Sequence, residues 1–391
     1  MEYSLNAAQI LPDDSANANL IGRVWRPDLE GPSVVVLRNG NLIDITGSKP
    51  TMTDLINADA PTAVADDAIG VDLGPAAAII ANSAPDKHDP ILPWLLAPVD
   101  LSALKAAGVT FVDSMLERVI EERAAGDPQE AEAIRNVIMS AIGEDLAAIV
   151  PGSPEAAHLK EVLIERGLWS QYLEVGIGPD AEIFTKAQPL SSVGTGAEIG
   201  LHPKSIWNNP EPEVVLILNA AGAIVGASLG NDVNLRDFEG RSALLLCKAK
   251  DNNASCAIGP FIRLLDDGFR LDDLRQAEIT LTIAGNDGFD LDGKSEMTRI
   301  SRDIEALADQ TLNRNHQYPD GAALFTGTAF APTKDRDTPD EGFTHKLGDL
   351  VTISSPKLGA LVNRVTTSDK AAPWEFGAAA LMRNLAARGV L

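Results

Sequence analysis

Glu211 and Glu213 stand two residues apart at the head of an apolar run, Val214-Val215-Leu216-Ile217-Leu218. An extended strand repeats every second residue, so both carboxylates point to one face. Like charges side by side repel unless a cation lies between them. A hard divalent cation with oxygen ligands answers that need, and Mg²⁺ typically takes one or two carboxylates while keeping several waters. Ala220-Ala221-Gly222-Ala223 turns the chain, and a second run, Ile224 to Leu229, returns beside the first and brings Asp232 to the same end. Beyond Asp232 lie Arg236 and Lys250, cations suited to holding an anionic substrate. Two glutamates beside a strand are more often a solvated face than a metal site. The combination with Asp232, Arg236 and Lys250 is what singles out this stretch.

The order Glu211-Pro212-Glu213, strand, turn, strand, Asn231-Asp232-Val233-Asn234-Leu235-Arg236-Asp237, then Lys250 five residues before Ser255-Cys256, resembles the core of the fumarylacetoacetate hydrolase family. The resemblance implies that Glu211, Glu213 and Asp232 bind Mg²⁺, with Mn²⁺ or Ca²⁺ as alternatives. Arg236 matches the family arginine after the aspartate, and Lys250 the family lysine. Lys248 competes for that match; the spacing to Ser255-Cys256 favours Lys250. Phe184-Thr185-Lys186 resembles the family's F-x-K segment, which gives Lys186 to a substrate carboxylate or to a structural ion pair. Thr326-Gly327-Thr328 resembles the T-G-T segment whose last threonine contacts the substrate carboxylate, here Thr328. Many members carry H-x-x-E, implicated in proton transfer and in activating water; this chain has Arg118 and Glu121 there. Arginine stays protonated and is no base. Glu121 is a candidate base if burial raises its pKa, and an ordinary surface Arg–Glu helix pair fits the spacing as well.

A Lewis acid on a 2-oxo group acidifies the neighbouring C3 proton. From the enolate, either a C4 hydroxyl leaves, or water attacks a second carbonyl and a C–C bond breaks. Arg118 in the histidine's place weakens the hydrolytic route. Dehydration is the expected reaction, with Glu121 and Lys250 sharing the base and acid work and Arg118, Lys186, Arg236 and Thr328 as substrate contacts. The tracts WSQYLEVGIGPDAEIFTK, WNNPEPEVVL and TISSPKLGALVNRV resemble the bacterial branch of the family that dehydrates 2-keto-3-deoxy-pentonates to 2,5-dioxopentanoate in non-phosphorylated pentose breakdown. A C–C hydrolase of a 2,4-dioxo sugar acid releasing pyruvate is the alternative, and a catalytically silent sugar-acid-binding protein is a third.

The elements that must carry these residues are read from periodicity. The resemblance implies an α+β fold, a mixed β-sandwich roll of fumarylacetoacetate hydrolase type. Residues 1–100 read as a small, mostly β N-terminal domain and linker, with Asn39-Gly40 as a two-residue hairpin turn and Pro85 to Pro98 as the linker. Residues 101–391 form the catalytic part, with a helical insertion over about 115–167. Gly108 to Val112 reads as a strand leading into the helix that carries Arg118. Ile134, Val137, Ile138, Ile142, Leu146 and Ile149 keep a helical stripe, and a further helix starts after Ser153. Trp169 to Thr185 reads as strand and core. Ile279 to Ile283 alternates as a strand, Met297 to Leu312 reads as a helix, and Pro332 to Thr344 as a charged lid.

The 391-residue chain is 45% hydrophobic, enough for a sizeable core, and carries a net charge of −24. That charge repels nucleic acids and anionic membranes and makes local cations necessary for an anionic substrate. Two cysteines, Cys247 and Cys256, make no disulfide framework and are expected to pack. The opening residues lack the basic start and apolar run of a signal peptide, and no apolar window reaches the ~18 residues a membrane span needs. The expected setting is the cytoplasm, the expected partner a small 2-keto-3-deoxy sugar acid, and the expected assembly a homo-oligomer, dimer or tetramer.

Overall fold

The structure is a computed structural model, and it describes residues 3–125, 127, 130–131, 149–165, 167, 169–337 and 342–391, without the side chains of residues 112, 113 and 121. The strands, in chain order, are β1 (Leu20–Arg26), β2 (Gly31–Arg38), β3 (Asn41–Asp44), β4 (Val71–Pro75), β5 (Trp94–Leu96), β6 (Ala103–Gly108), β7 (Glu182–Ala187), β8 (Glu198–Leu201) and β9 (Asn208–Asn209). They continue with β10 (Pro212–Leu218), β11 (Ile224–Asp232), β12 (Asn234–Leu235), β13 (Cys256–Leu264), β14 (Glu278–Ala284), β15 (Asp290–Glu296), β16 (Ala322–Phe325), β17 (Leu350–Ser355) and β18 (Gly359–Thr367). One mixed sheet runs β4-β3-β2-β1-β13-β11-β10-β16-β6-β7, with β5 paired to β1, and a second runs β15-β14-β17-β18-β8. The fold is α+β.

Strand β10 explains its own sequence. Val214, Leu216 and Leu218 face the core shared with β14 and β17, while Val215 and Ile217 face a second core with Phe325 and Ile262. Both faces are buried, so the run is continuously apolar rather than alternating. Strand β14 has one buried face, through Ile279, Leu281 and Ile283, and alternates as expected.

The N-terminal strands extend this same sheet. β1 pairs with β13, and Ile21, Val34 and Val36 share a core with Val215 and Ile217. β2 and β3 pair through Arg38 and Asn41 around the Asn39-Gly40 turn. The proline-rich stretch expected as a linker contains β5, which pairs with β1.

Several local expectations differ. The strand before the Arg118 helix is β6, ending at Gly108; Val109 takes a positive φ of 59°, which stops extended pairing and turns the chain into the helix Val112–Arg123. Trp169 to Ile177 is not strand: Gln171–Ile177 is helical, and the Ser170 side chain accepts from the Tyr172 N–H to cap it. Met297–Arg299 is a single 3-10 turn and the helix begins only at Ile304, capped by Asp303. Helix Pro154–Glu165 starts after Ser153, whose Oγ accepts from the Ala156 N–H at 3.1 Å. The stripe through 134–146 lies outside the described residues. Cys256 is buried and Cys247 is exposed, so only one of the two packs. Among the described residues no helix is long and apolar enough to cross a membrane.

Gly230 opposes Glu213 in the β10–β11 register. A Cβ there would lie 2.3 Å from the Phe325 ring and 2.6 Å from a Val215 methyl, both fully buried. Gly230→Ala is therefore expected to destabilise the protein by about 1–3 kcal/mol through overpacking. Urea unfolding of the two proteins reads it, and equal midpoints would contradict the packing account.

Candidate active site

The β10–β11–β13 register assembles the acidic trio. Asp232 pairs with Cys256 at the end of β11, its N–H donates to the Glu211 carbonyl at 3.1 Å, and the Glu211 N–H donates to Asn231 Oδ1 at 3.1 Å. Glu211, Glu213 and Asp232 are buried, and one oxygen from each lies within 4.8 Å of the others. Burying three carboxylates together is costly without positive charge among them.

Part of that charge is the protein's own. Lys250 Nζ lies 2.6 Å from Glu211 Oε2, 3.1 Å from Asp232 Oδ1 and 3.3 Å from Glu239 Oε1. Burial disfavours the ammonium, but Asp232, Glu211 and Glu239 outweigh it and hold the Lys250 pKa well above its usual value. Arg118 donates to Glu211 Oε1 at 2.6 Å and also pairs with Glu239. Burial alone would raise the Glu211 pKa; Lys250 and Arg118 overcome that and lower it. Glu213 differs. Burial, then Asp232 and Glu211, push its pKa well up, against a 2.6 Å hydrogen bond from the Gly327 N–H.

Among the described side chains, Glu211, Glu213, Asp232 and Glu239 face three cations, Lys186, Lys250 and Arg118. Glu182 adds a further carboxylate to the same pocket. The negative excess, the three converging oxygens and the all-oxygen donor set fit a hard divalent cation. Two ammonium groups lie near Asp232 Oδ1, at 3.1 and 3.2 Å, yet no donor is aligned on it among the described residues.

A pocket opens beside the trio. Arg118, Glu182, Asp232, Glu239, Lys250 and Thr328 supply its polar wall, and Val109, Tyr172, Phe184 and Leu246 its apolar one. Lys250, Arg118 and Thr328 all line this pocket, and Lys248 is exposed. The backbone of Glu121 lies on the same helix as Arg118, but its side chain is outside those described.

Lys186, read as a substrate contact or a structural ion pair, and Arg236, read as a substrate contact, are not among the residues that line this pocket. Lys186 is fully buried; its Nζ donates to the Lys250 and Ser255 carbonyls at 2.6 and 2.9 Å and stands 3.2 Å from Asp232 Oδ1. This is the position of a strut that fixes Asp232 and the end of the Lys250 helix. Arg236 Nε donates to Asn209 Oδ1 at 2.8 Å, and its guanidinium lies over the Trp207 ring at 5.3 Å. It does not line the pocket among the described residues.

The residue that sequence reasoning passed over is Glu182. Period two on β7 puts Glu182, Phe184 and Lys186 on one face, so the F-x-K match already carried the signal. Gly108 opposes Glu182 across β6–β7, and a Cβ there would lie 2.0 Å from Glu182 Oε2. The glycine leaves the room the carboxylate occupies. Burial, with the Glu239 charge adding to it, pushes the Glu182 pKa up to about 6. A half-buried carboxylate titrating near neutrality beside a cation site has the properties of a general base.

Residues 179–366 match the family described as fumarylacetoacetate (FAA) hydrolase, C-terminal. The match takes in all three acidic residues, Arg236, Lys250, Thr328 and Glu182. A Saccharolobus solfataricus protein named 2-dehydro-3-deoxy-D-arabinonate dehydratase is 34% identical over 184 residues, 47% of this chain and 58% of that protein. A Haloferax volcanii protein named probable 2-keto-3-deoxyxylonate dehydratase is 28% identical over 268 residues, 68% of this chain and 87% of that one. The solved structure of a 2-keto-3-deoxy-D-arabinonate dehydratase complexed with magnesium and 2,5-dioxopentanoate superposes with a TM-score of 0.60 at 21% identity, covering 89% of this chain and 99% of that one. The likeness establishes the fumarylacetoacetate hydrolase fold for this chain.

Proposed function

We propose that this protein is a divalent-metal-dependent dehydratase that converts a 2-keto-3-deoxy-pentonate into 2,5-dioxopentanoate. The observation that carries the reading is the trio Glu211, Glu213 and Asp232, converging beside a pocket that holds Lys250 and Glu182. It is supported by the two relatives named as dehydratases of such acids and by the neighbour bound to magnesium and 2,5-dioxopentanoate.

Glu211, Glu213 and Asp232 would hold the cation, Mg²⁺ first and Mn²⁺ or Ca²⁺ as alternatives. When bound, it supplies a Lewis acid for the substrate's 2-oxo group. Arg118 and Thr328, both on the pocket wall, offer a guanidinium and a hydroxyl to the substrate carboxylate. Glu182 takes the C3 proton. Lys250, on the pocket wall, gives a proton to the C4 hydroxyl as it leaves as water. A proton then moves from C5 to C3, and the C5 enol takes a proton at C4 to become the aldehyde. Lys186 and Arg236 act by position, one on Asp232 and one on Asn209.

The hydrolytic alternative requires a base aimed at water. Arg118 stands at that position, permanently protonated and paired with two carboxylates. Incubation of the full chain and Mg²⁺ with a panel of 2-keto-3-deoxy acids, with products identified by mass, decides among the readings. Loss of one water giving an aldehyde is expected. Pyruvate release, or tight binding with no turnover, would contradict the proposal.

A further inference from the structure

Lys250 is bonded to more than the metal trio. Two of its three carboxylate partners, Glu211 and Asp232, belong to the set whose oxygens converge for a cation; the third, Glu239, does not. A divalent cation drawing on Glu211 and Asp232 would compete with the ammonium for the same oxygens and repel it at short range. The ammonium must then move, and Glu239 is the partner that remains.

Glu239 is built for that purpose. It is buried and closes the short helix Arg236–Glu239 on the pocket wall. Its Oε2 is held by Arg118, which also holds Glu211 Oε1. Its Oε1 faces Lys250 at 3.3 Å, and no hydrogen-bond donor is aligned on it among the described residues. A buried carboxylate oxygen without an aligned donor is costly. The contact with Lys250 is half made, and a modest shift of the lysine would complete it.

We propose that Glu239 is a positioning residue that receives the Lys250 ammonium when a divalent cation takes Glu211 and Asp232, and holds it on the pocket wall. The inference rests on the metal assignment of the proposed function and deepens it. Removing Glu239 leaves Lys250 only the metal's own ligands to pair with, so the lysine becomes a stronger competitor for the site. Removing Lys250 abolishes the competition, and Glu239 then ceases to matter for the metal.

The test is a double-mutant cycle read by Mn²⁺ affinity, measured calorimetrically on the metal-stripped full-length chain. Glu239→Gln is expected to weaken Mn²⁺ binding about tenfold, and Lys250→Met to tighten it. Adding Glu239→Gln to Lys250→Met is expected to change affinity less than about twofold. Glu239→Asp, which keeps the charge but reaches less far, is expected to fall between wild type and Glu239→Gln, and it carries the test if the Gln variant does not fold. An equal Glu239→Gln effect in both backgrounds would show a general charge effect and overturn the proposal, as would no effect in either. Mn²⁺ binding that is insensitive to Glu213→Gln would overturn the metal assignment itself, and this inference with it.

Discussion

Glu213→Gln is expected to lose metal-dependent turnover altogether while the metal-free protein becomes more stable. Among the described residues no salt bridge is formed by Glu213; burial, Asp232 and Glu211 all disfavour its charge, and the Gly327 N–H and the Lys250 charge only partly offset them. The amide is nearly isosteric and its oxygen can still accept from Gly327, so the β10 strand keeps its place. Repulsion within the trio falls, and so does affinity for a cation. A ligand at about 100 times its Kd adds about 2.7 kcal/mol to stability. The wild type should show such a Mg²⁺-dependent rise in its melting midpoint and the variant should not. A variant that keeps both the Mg²⁺ shift and turnover would remove Glu213 from the site.

The second large effect belongs to Glu182. Glu182→Gln is expected to lower kcat by about 10²–10⁴-fold, the usual contribution of a general base, with Mn²⁺ affinity changed little. The wild-type rate has a predicted acidic limb. A base works only when deprotonated, and the Glu182 pKa is pushed up to about 6 by burial and the Glu239 charge. Turnover therefore falls as pH drops through about 6, by about tenfold per unit below it, and the charge of a bound cation moves that limb to lower pH. The residual activity of the Gln variant should lack the limb. A variant with near-wild-type kcat and an unchanged profile would return the base to another residue.

The sequence shared the base and acid work between Glu121 and Lys250; the Glu121 side chain lies outside those described, and Glu182 takes the base's role in the proposed function. A helix motif fixes which residues are neighbours on one element, not which face turns toward another. Arg118 illustrates it: the spacing allowed a surface pair with Glu121, whereas tertiary packing turns the guanidinium inward onto Glu211 and Glu239. The acidic trio was legible because strand periodicity and a hairpin turn act locally and bring Glu211, Glu213 and Asp232 together without help from elsewhere. Lys250 was singled out over Lys248 because its spacing to Ser255-Cys256 matched the family resemblance, and in the structure Ser255 Oγ donates to the Lys250 carbonyl at 2.6 Å.

Lys186 and Arg236 were legible as cations near the site but their depth was not: Lys186 forms the buried ion pair that the sequence left open as its alternative, and Arg236 is buried beside Asn209. Burial is a property of all the elements around a residue, and no local pattern reports it. The same limit applies to the N-terminal strands, whose alternation announced a β hairpin but not that β1 would pair with β13 and continue the sheet that carries the site. The helix after Ser170 was misread as strand because its apolar residues are too few to show a period, and its cap depends on one side-chain hydrogen bond.

The most direct measurement is a crystal structure of the full chain grown with Mn²⁺ and a 2-keto-3-deoxy-pentonate, with the metal located by its anomalous scattering. The account predicts one strong peak bonded to oxygens of Glu211, Glu213 and Asp232, with the ligand's 2-oxo end at the metal and Lys250 drawn toward Glu239. A peak elsewhere, or none while the ligand occupies the pocket, would contradict it.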